Sequence, residues 1–289
     1  MLSGNEYIIS KQIQWAMNRD IHLIGSKVER GRRAHTLDLN MNLFWPLIER
    51  VRVRFEQGNG NEIVGSADIP AKMQAVHSSS ALGVNVFQYW EGIHQVPVIA
   101  AACGFCEKGE VISEEIIFED KYHVKGIKGV PPHIDVVIYN SELSDFTRFA
   151  IECKFTEAYG SYKLSGLKPA YLNVDELWSD IPELHKLARS ISPDNTLNKY
   201  LDSAQLIKHI LGLKTCCDKG GFKLLYLWYD VLGQEGATHR DEIDEFTKIA
   251  LSDGIHFSAF SYQELIISLA NDYRQEHLEY IKYLTERYL

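Results

Sequence analysis

The sequence predicts a mixed α/β fold (α+β in how strands and helices segregate), with a central sheet covered by helices on both sides. Three observations carry this expectation. Between Ile116 and Phe155 three strand-like runs follow one another with polar breaks between them. Leu197, Leu201, Ala204, Ile207 and Leu211 then recur at helical spacing. Finally, Lys223–Asp230 is a nearly continuous apolar run, which is how a strand buried on both faces reads.

Taken in order, residues 1–75 read as an amino-terminal extension packed on the core. It holds an amphipathic stretch over Tyr7–Met17, a segment Leu37–Val53 and a turn at Gln57–Asn61. His77 and three serines precede an apolar segment, Ala81–Ile93, suited to a serine-capped helix. A second apolar stretch spans Val96–Phe105. Ile116–Val124, His133–Tyr139 and Arg148–Phe155 are the three strand-like runs, the last two forming a hairpin about the polar Asn140–Asp145. A long irregular section with scattered Gly and Pro leads to the periodic helix, with Gly212 as its expected end. After the apolar strand come a helix over Arg240–Ala250, a short strand near His256–Phe260, and a terminal helix from Tyr262.

The 289 residues suffice for one large domain with extensions, and 45% hydrophobic with 24% charged residues is an ordinary globular composition. No apolar run is long enough to cross a bilayer, and the amino terminus lacks the basic start and apolar stretch of a signal peptide, so a cytoplasmic location is expected. The odd count of five cysteines, two of them adjacent, argues against a disulfide framework. Cys103-Gly104-Phe105-Cys106 has metal spacing, but no second such pair exists, and buried thiols are the better reading. A net charge of −9 disfavours simple phosphate binding through excess Lys and Arg. It leaves room for a metal-dependent enzyme with a local basic groove. Lys27, Arg30, Arg32, Arg33, Arg50, Arg52 and Arg54 cluster early, and Lys121, Lys125 and Lys128 lie before the hairpin.

The chemistry concentrates in that hairpin. On a strand, Glu152 and Lys154 project to one face while Cys153 points to the other. With the turn centred near residue 144, Asp135 falls across from Cys153 and beside Glu152 and Lys154. Two carboxylates held together need a cation or a shared proton. Oxygen ligands with open positions suit Mg²⁺, with Mn²⁺ as a substitute. An ammonium beside them can orient an attacking water and offset charge in a phosphoryl transition state.

Pro131-Pro132-His133-Ile134-Asp135 followed by Glu152-Cys153-Lys154 resembles the signature of the PD-(D/E)XK, restriction-endonuclease-like nucleases. Within them it is most similar to bacterial restriction endonucleases with an Ile-Glu-x-Lys-Phe-Thr-Glu strand. The likeness covers roughly residues 112–230; His133 and Ile134 intervene between proline and aspartate, a departure from the short form of the motif. The resemblance implies a restriction-endonuclease-like mixed sheet with helical additions at both ends, and a nuclease domain over residues 76–289. It implies that Asp135 and Glu152, with the Cys153 carbonyl, bind the metal and that Lys154 serves the nucleophile. Gln205 matches a helical glutamine facing the site, and Glu119 or Glu115 an upstream acid, with the choice between them open. The implied function is Mg²⁺-dependent hydrolysis of DNA, in restriction or defence, with a homodimer suited to cutting two strands. The alternatives are a nuclease for RNA or branched DNA and a catalytically silent nucleic-acid-binding or assembly module. His77, His133 and His209 read as hydrogen-bonding histidines, and Tyr159, Tyr162 and Tyr171 as residues able to stack on bases.

Overall fold

A computed structural model describes residues 2–58, 62–66 and 68–289; the expected turn at 57–61 falls largely outside the described residues. Helix α1 (Gly4–Met17) starts at Ser3, whose hydroxyl and the Glu6 carboxylate close a capping box. Next, β1 (Leu23–Gly25) and β2 (Arg33–Thr36) form a small antiparallel sheet that hydrophobic patterning does not announce. Helix α2 (Glu49–Glu56) follows, then α3 (Ser79–Gly92), whose cap is Ser78 accepting from the Ala81 amide at 3.2 Å, and α4 (Val96–Ala102).

The central sheet has five strands in chain order: β3 (Ser113–Lys121), β4 (His133–Asn140), β5 (Arg148–Lys154), β6 (Phe222–Trp228) and β7 (Phe257–Ser261). The first three form an antiparallel meander, and β6 and β7 join in parallel, which requires a crossover before each. The crossover into β6 holds α5 (Pro169–Leu172), α6 (Pro182–Ser190) and α7 (Ser203–Cys217). That into β7 holds α8 (Gln234–Ser252). The fold is thus a mixed sheet flanked by helices, as expected.

One sheet face receives α3, where Gly83 lies close enough for an added Cβ to touch Cys153 Sγ at 3.8 Å. The other receives α7 and α8, which meet Glu152, Lys154 and Tyr226.

Several boundaries differ from the sequence expectation. Helix α7 begins at Ser203, capped by Asp202, so Leu197 and Leu201 precede it. Gly212 does not end it: the helix runs on to Cys217, and the glycine allows close packing on the strand side, since a Cβ there would lie 2.8 Å from Tyr122 Cβ. The long irregular section contains α5 and α6, each entered by a proline at its start, where a missing N–H costs nothing. The terminal helix is two, α9 (Tyr262–Tyr273) and α10 (Leu278–Tyr288).

The two ends of the chain are joined by one buried cation. The Arg287 guanidinium is 1% exposed and has no carboxylate partner among the described residues. It donates to Gln12 Oε1 at 3.0 Å, to the Asn42 carbonyl at 2.8 Å and side chain at 2.6 Å, to the Val76 carbonyl at 3.1 Å, and to Tyr283. Its plane also lies 4.1 Å from the Trp15 ring centroid. Burying this charge is tolerable because the planar fork meets oxygen acceptors, a geometry lysine cannot reproduce. Arg287→Ala leaves those acceptors buried and unpaired. It is expected to destabilise the protein by about 3–5 kcal/mol, with Arg287→Lys recovering little, as read by urea unfolding.

Candidate functional site

Strand register sets out a row of three carboxylates. Phe118↔Val136 and Asp120↔Ile134 bracket Glu119 opposite Asp135, and Val136↔Ile151 carries on to place Asp135 opposite Glu152. The sequence expectation sets Asp135 across from Cys153. The register lies one residue away, because the hairpin is closed by Asn140 N–H on the Thr147 carbonyl, which centres it between residues 143 and 144. The correction brings Asp135 and Glu152 directly face to face.

At this end of the hairpin the ladder is broken open. The Cys153 N–H donates to Asp135 Oδ2 at 2.7 Å. The Cys153 thiol is buried on the opposite face. Lys154 Nζ lies 2.7 Å from Glu152 Oε1 and donates to Gln205 Oε1 at 2.9 Å. Gln205 sits in the first turn of α7, where Asp202 accepts its backbone N–H at 2.9 Å. Four residues on, the same helix face presents His209, whose Nε2 is 2.9 Å from Glu152 Oε2. Glu152 and His209 are each 1% exposed.

Glu119 adopts a positive φ of 53° in mid-strand, a conformation costing about 1–2 kcal/mol for a residue with a Cβ. Its neighbours hold it there: Phe118 packs on Phe55, and Asp120 accepts from Tyr139 OH at 2.7 Å. Glu119 Oε2 lies 3.6 Å from His133 Nδ1. Glu115, the other candidate, lies further along β3 beside Arg50 at 3.7 Å and is not brought to the row. His77 instead meets Glu29, with Nε2 at 3.3 Å. Tyr159 and Tyr171 are buried, and Tyr162 is exposed.

The row is electrostatically crowded. Burial pushes Asp135 well above the usual carboxylate range and Glu152 pushes it further, against Lys154 and the Cys153 N–H. Burial, with Glu62 and Glu152, raises Glu119 to about 7. Burial acts upward on Glu152 too, but Lys154 and His209 outweigh it and hold this carboxyl at about 2. Burial would lower Lys154, yet Glu152 and Asp135 raise it well above its ordinary value. The core is therefore a Glu152–Lys154 ion pair flanked by two acids that resist ionisation.

As they stand, no three His, Cys, Asp or Glu side chains among the described residues converge tightly enough to hold a metal ion, here or at Cys103 and Cys106. The donor set of the row nevertheless fits a hard divalent cation. All three side chains offer oxygen, both Glu152 oxygens are buried without a well-aligned hydrogen bond, and a cation would relieve the repulsion that raises Asp135 and Glu119. The sequence reading of His209 as a hydrogen-bonding histidine does not place it at the row; its position four residues after Gln205 is the available signal.

A family model described as "Restriction Endonuclease associating with ARP" matches residues 10–289, and the chain belongs to this family. No curated protein and no solved structure gives a significant match.

With metal chelated, Glu119 keeps its proton to about pH 7 when folded but only to its ordinary 4.5 when unfolded. The folded state binds more protons across that window, so this group's contribution to stability falls as pH rises through it. Glu119→Gln removes that loss. It should gain up to roughly 3 kcal/mol over the wild type at pH 8 and little at pH 4.5, read by urea unfolding at both pH values.

Proposed function

We propose that this member of the restriction-endonuclease family hydrolyses phosphodiester bonds in DNA with a divalent cation, Mg²⁺ or in its place Mn²⁺, at the row formed by Glu119, Asp135 and Glu152. The observation that carries the reading is a carboxylate row, buried at Glu152 and half-buried at Asp135 and Glu119, ending in an ammonium that is fixed by two partners. The spacing and types of Asp135, Glu152 and Lys154 also follow the PD-(D/E)XK pattern.

Asp135 and Glu152 would hold the cation, with Glu119 and the Cys153 carbonyl as further oxygen donors. The cation would supply Lewis-acid polarisation of the phosphate and a lowered pKa for an attacking water. The remaining work falls to the chain's own residues. Lys154, kept charged by Glu152, presents N–H donors to the incoming water and to a non-bridging phosphate oxygen, offsetting charge that builds up as the P–O bond breaks. Gln205 limits the ammonium to one direction, so little reorganisation is needed at the moment of reaction. His209 acts as a positioning residue: it occupies Glu152 Oε2 and leaves Oε1 to Lys154. The reading places the protein with DNA as partner and leaves a symmetric dimer as the arrangement for double-strand cutting.

Cleavage of plasmid, linear duplex and single-stranded DNA with Mg²⁺ or Mn²⁺ tests it. Asp135→Asn and Lys154→Ala should each lower the rate by about a hundredfold or more, Gln205→Ala by about tenfold, and chelation should abolish it. Cutting by Asp135→Asn at the wild-type rate would refute the assignment.

A further inference from the structure

Beside the row, on the loop that leaves β5, lies a second cleft that the proposed chemistry does not use. It encloses ≈ 630 Å³ and is lined among others by Tyr162, Tyr200, Ser161, Arg32 and Lys199. That volume lies within the range of sites that hold a small organic group. The cleft is tied to the catalytic strand by short links. Only the turn Glu157–Tyr159 and three residues separate Phe155 from Tyr162, and Tyr162 OH donates back to the Glu157 carbonyl at 2.6 Å. Thr156 Oγ1 bonds the His77 carbonyl at 3.3 Å, and His77 meets Glu29 in the turn that carries Arg32.

Two features set the cleft apart from the rest of the surface. Tyr162 is 57% exposed, with one side of its ring laid on Gly160, where an added Cβ would fall 2.7 Å from the ring. Its neighbours Tyr159 and Tyr200 are buried, so Tyr162 alone offers a free aromatic surface there. The second feature is charge. In a chain of net −9, Arg32 and Lys199 pair with no carboxylate among the described residues. Two acids also line the cleft, each held by a backbone donor rather than by either cation: Glu6 accepts from the Ser3 N–H at 3.2 Å, and Glu235 accepts from the Gly4 N–H. An exposed aromatic ring beside two cations, Arg32 and a Lys199 whose ammonium lies 4.9 Å over the Tyr200 ring, with serine hydroxyls in the same lining, is a donor set that suits a nucleotide: base on the ring, phosphates on the cations.

We propose that this cleft binds an unpaired nucleotide of the DNA strand entering the catalytic row, with its base stacked on Tyr162 and its flanking phosphates on Arg32 and Lys199. A base inside a duplex keeps both faces stacked and cannot use the ring, so the subsite selects single-stranded or flipped-out substrate. The inference deepens the nuclease reading and rests on it for the direction of the strand, not for the binding itself.

The test is fluorescence anisotropy of the full-length protein with a labelled thymidine dodecamer, and with a duplex of equal length, in EDTA so that nothing is cut. The single strand should bind more tightly than the duplex. Tyr162→Ala should weaken single-strand binding about tenfold with little effect on the duplex, and Tyr162→Phe, which keeps the ring and loses only the hydroxyl, should bind as the wild type does. The Arg32→Ala/Lys199→Ala double variant should flatten the salt dependence by about 0.7 for each phosphate that is no longer neutralised. Absence of single-strand binding, or an equal loss on both ligands in Tyr162→Ala, would overturn the proposal. Because the readout needs no cleavage, a protein that never cuts but shows Tyr162-dependent binding keeps the subsite and loses the nuclease reading. Lys154-dependent cutting with binding indifferent to Tyr162 gives the reverse.

Discussion

Like charges held against each other govern this structure. Glu119, Asp135 and Glu152 stand opposite one another on three adjacent strands, with Glu152 buried and the other two half-buried. Repulsion between carboxylates in such a place would work against folding unless something offset it. Lys154 and His209 offset it at Glu152, one oxygen each. Asp135 is left with a single backbone N–H, and Glu119 sits in a strained backbone with a distant histidine. The stabilisation is uneven, and the two under-compensated acids are the ones whose protons are hardest to remove. On the reading proposed above, this imbalance is what a bound cation would relieve.

The rest of the fold holds that imbalance in place. The β4–β5 pairing fixes the distance between Asp135 and Glu152, and α7 crosses so that Gln205 and His209 reach the same strand from one face. Gly212 lets α7 approach Tyr122 closely, which sets how deep those two side chains reach. Arg287 joins α1, the segment around Asn42 and α10, and so pins the amino-terminal residues that bring Arg32 and His77 beside the β5 exit. Glu62, in that same segment, adds its charge to the load on Glu119.

Much of this could be read before folding, and the limits have physical causes. Strand alternation placed Glu152 and Lys154 on one face, and hairpin symmetry placed Asp135 near them, because both depend on local geometry. The exact pairing hung on how a seven-residue loop closes, and a one-residue change exchanged Cys153 for Glu152 opposite Asp135. The choice of Glu119 over Glu115 depended on that register and on a backbone turned to positive φ, which no spacing reveals. Gly212 looked like a helix end because a glycine for packing and a glycine for termination are the same letter. Apart from Tyr283, the partners of Arg287 lie more than two hundred residues away in sequence and left no pattern to find.

The most direct measurement is calorimetric titration of the protein with Mn²⁺ just below the Glu119 value of about 7, in buffers of different ionisation enthalpy. If the carboxylate row is a cation site, Mn²⁺ binds with release of protons from Asp135 and Glu119, and Asp135→Asn abolishes the binding. Mn²⁺ binding that persists unchanged in Asp135→Asn, or no binding to the wild type, would contradict the account.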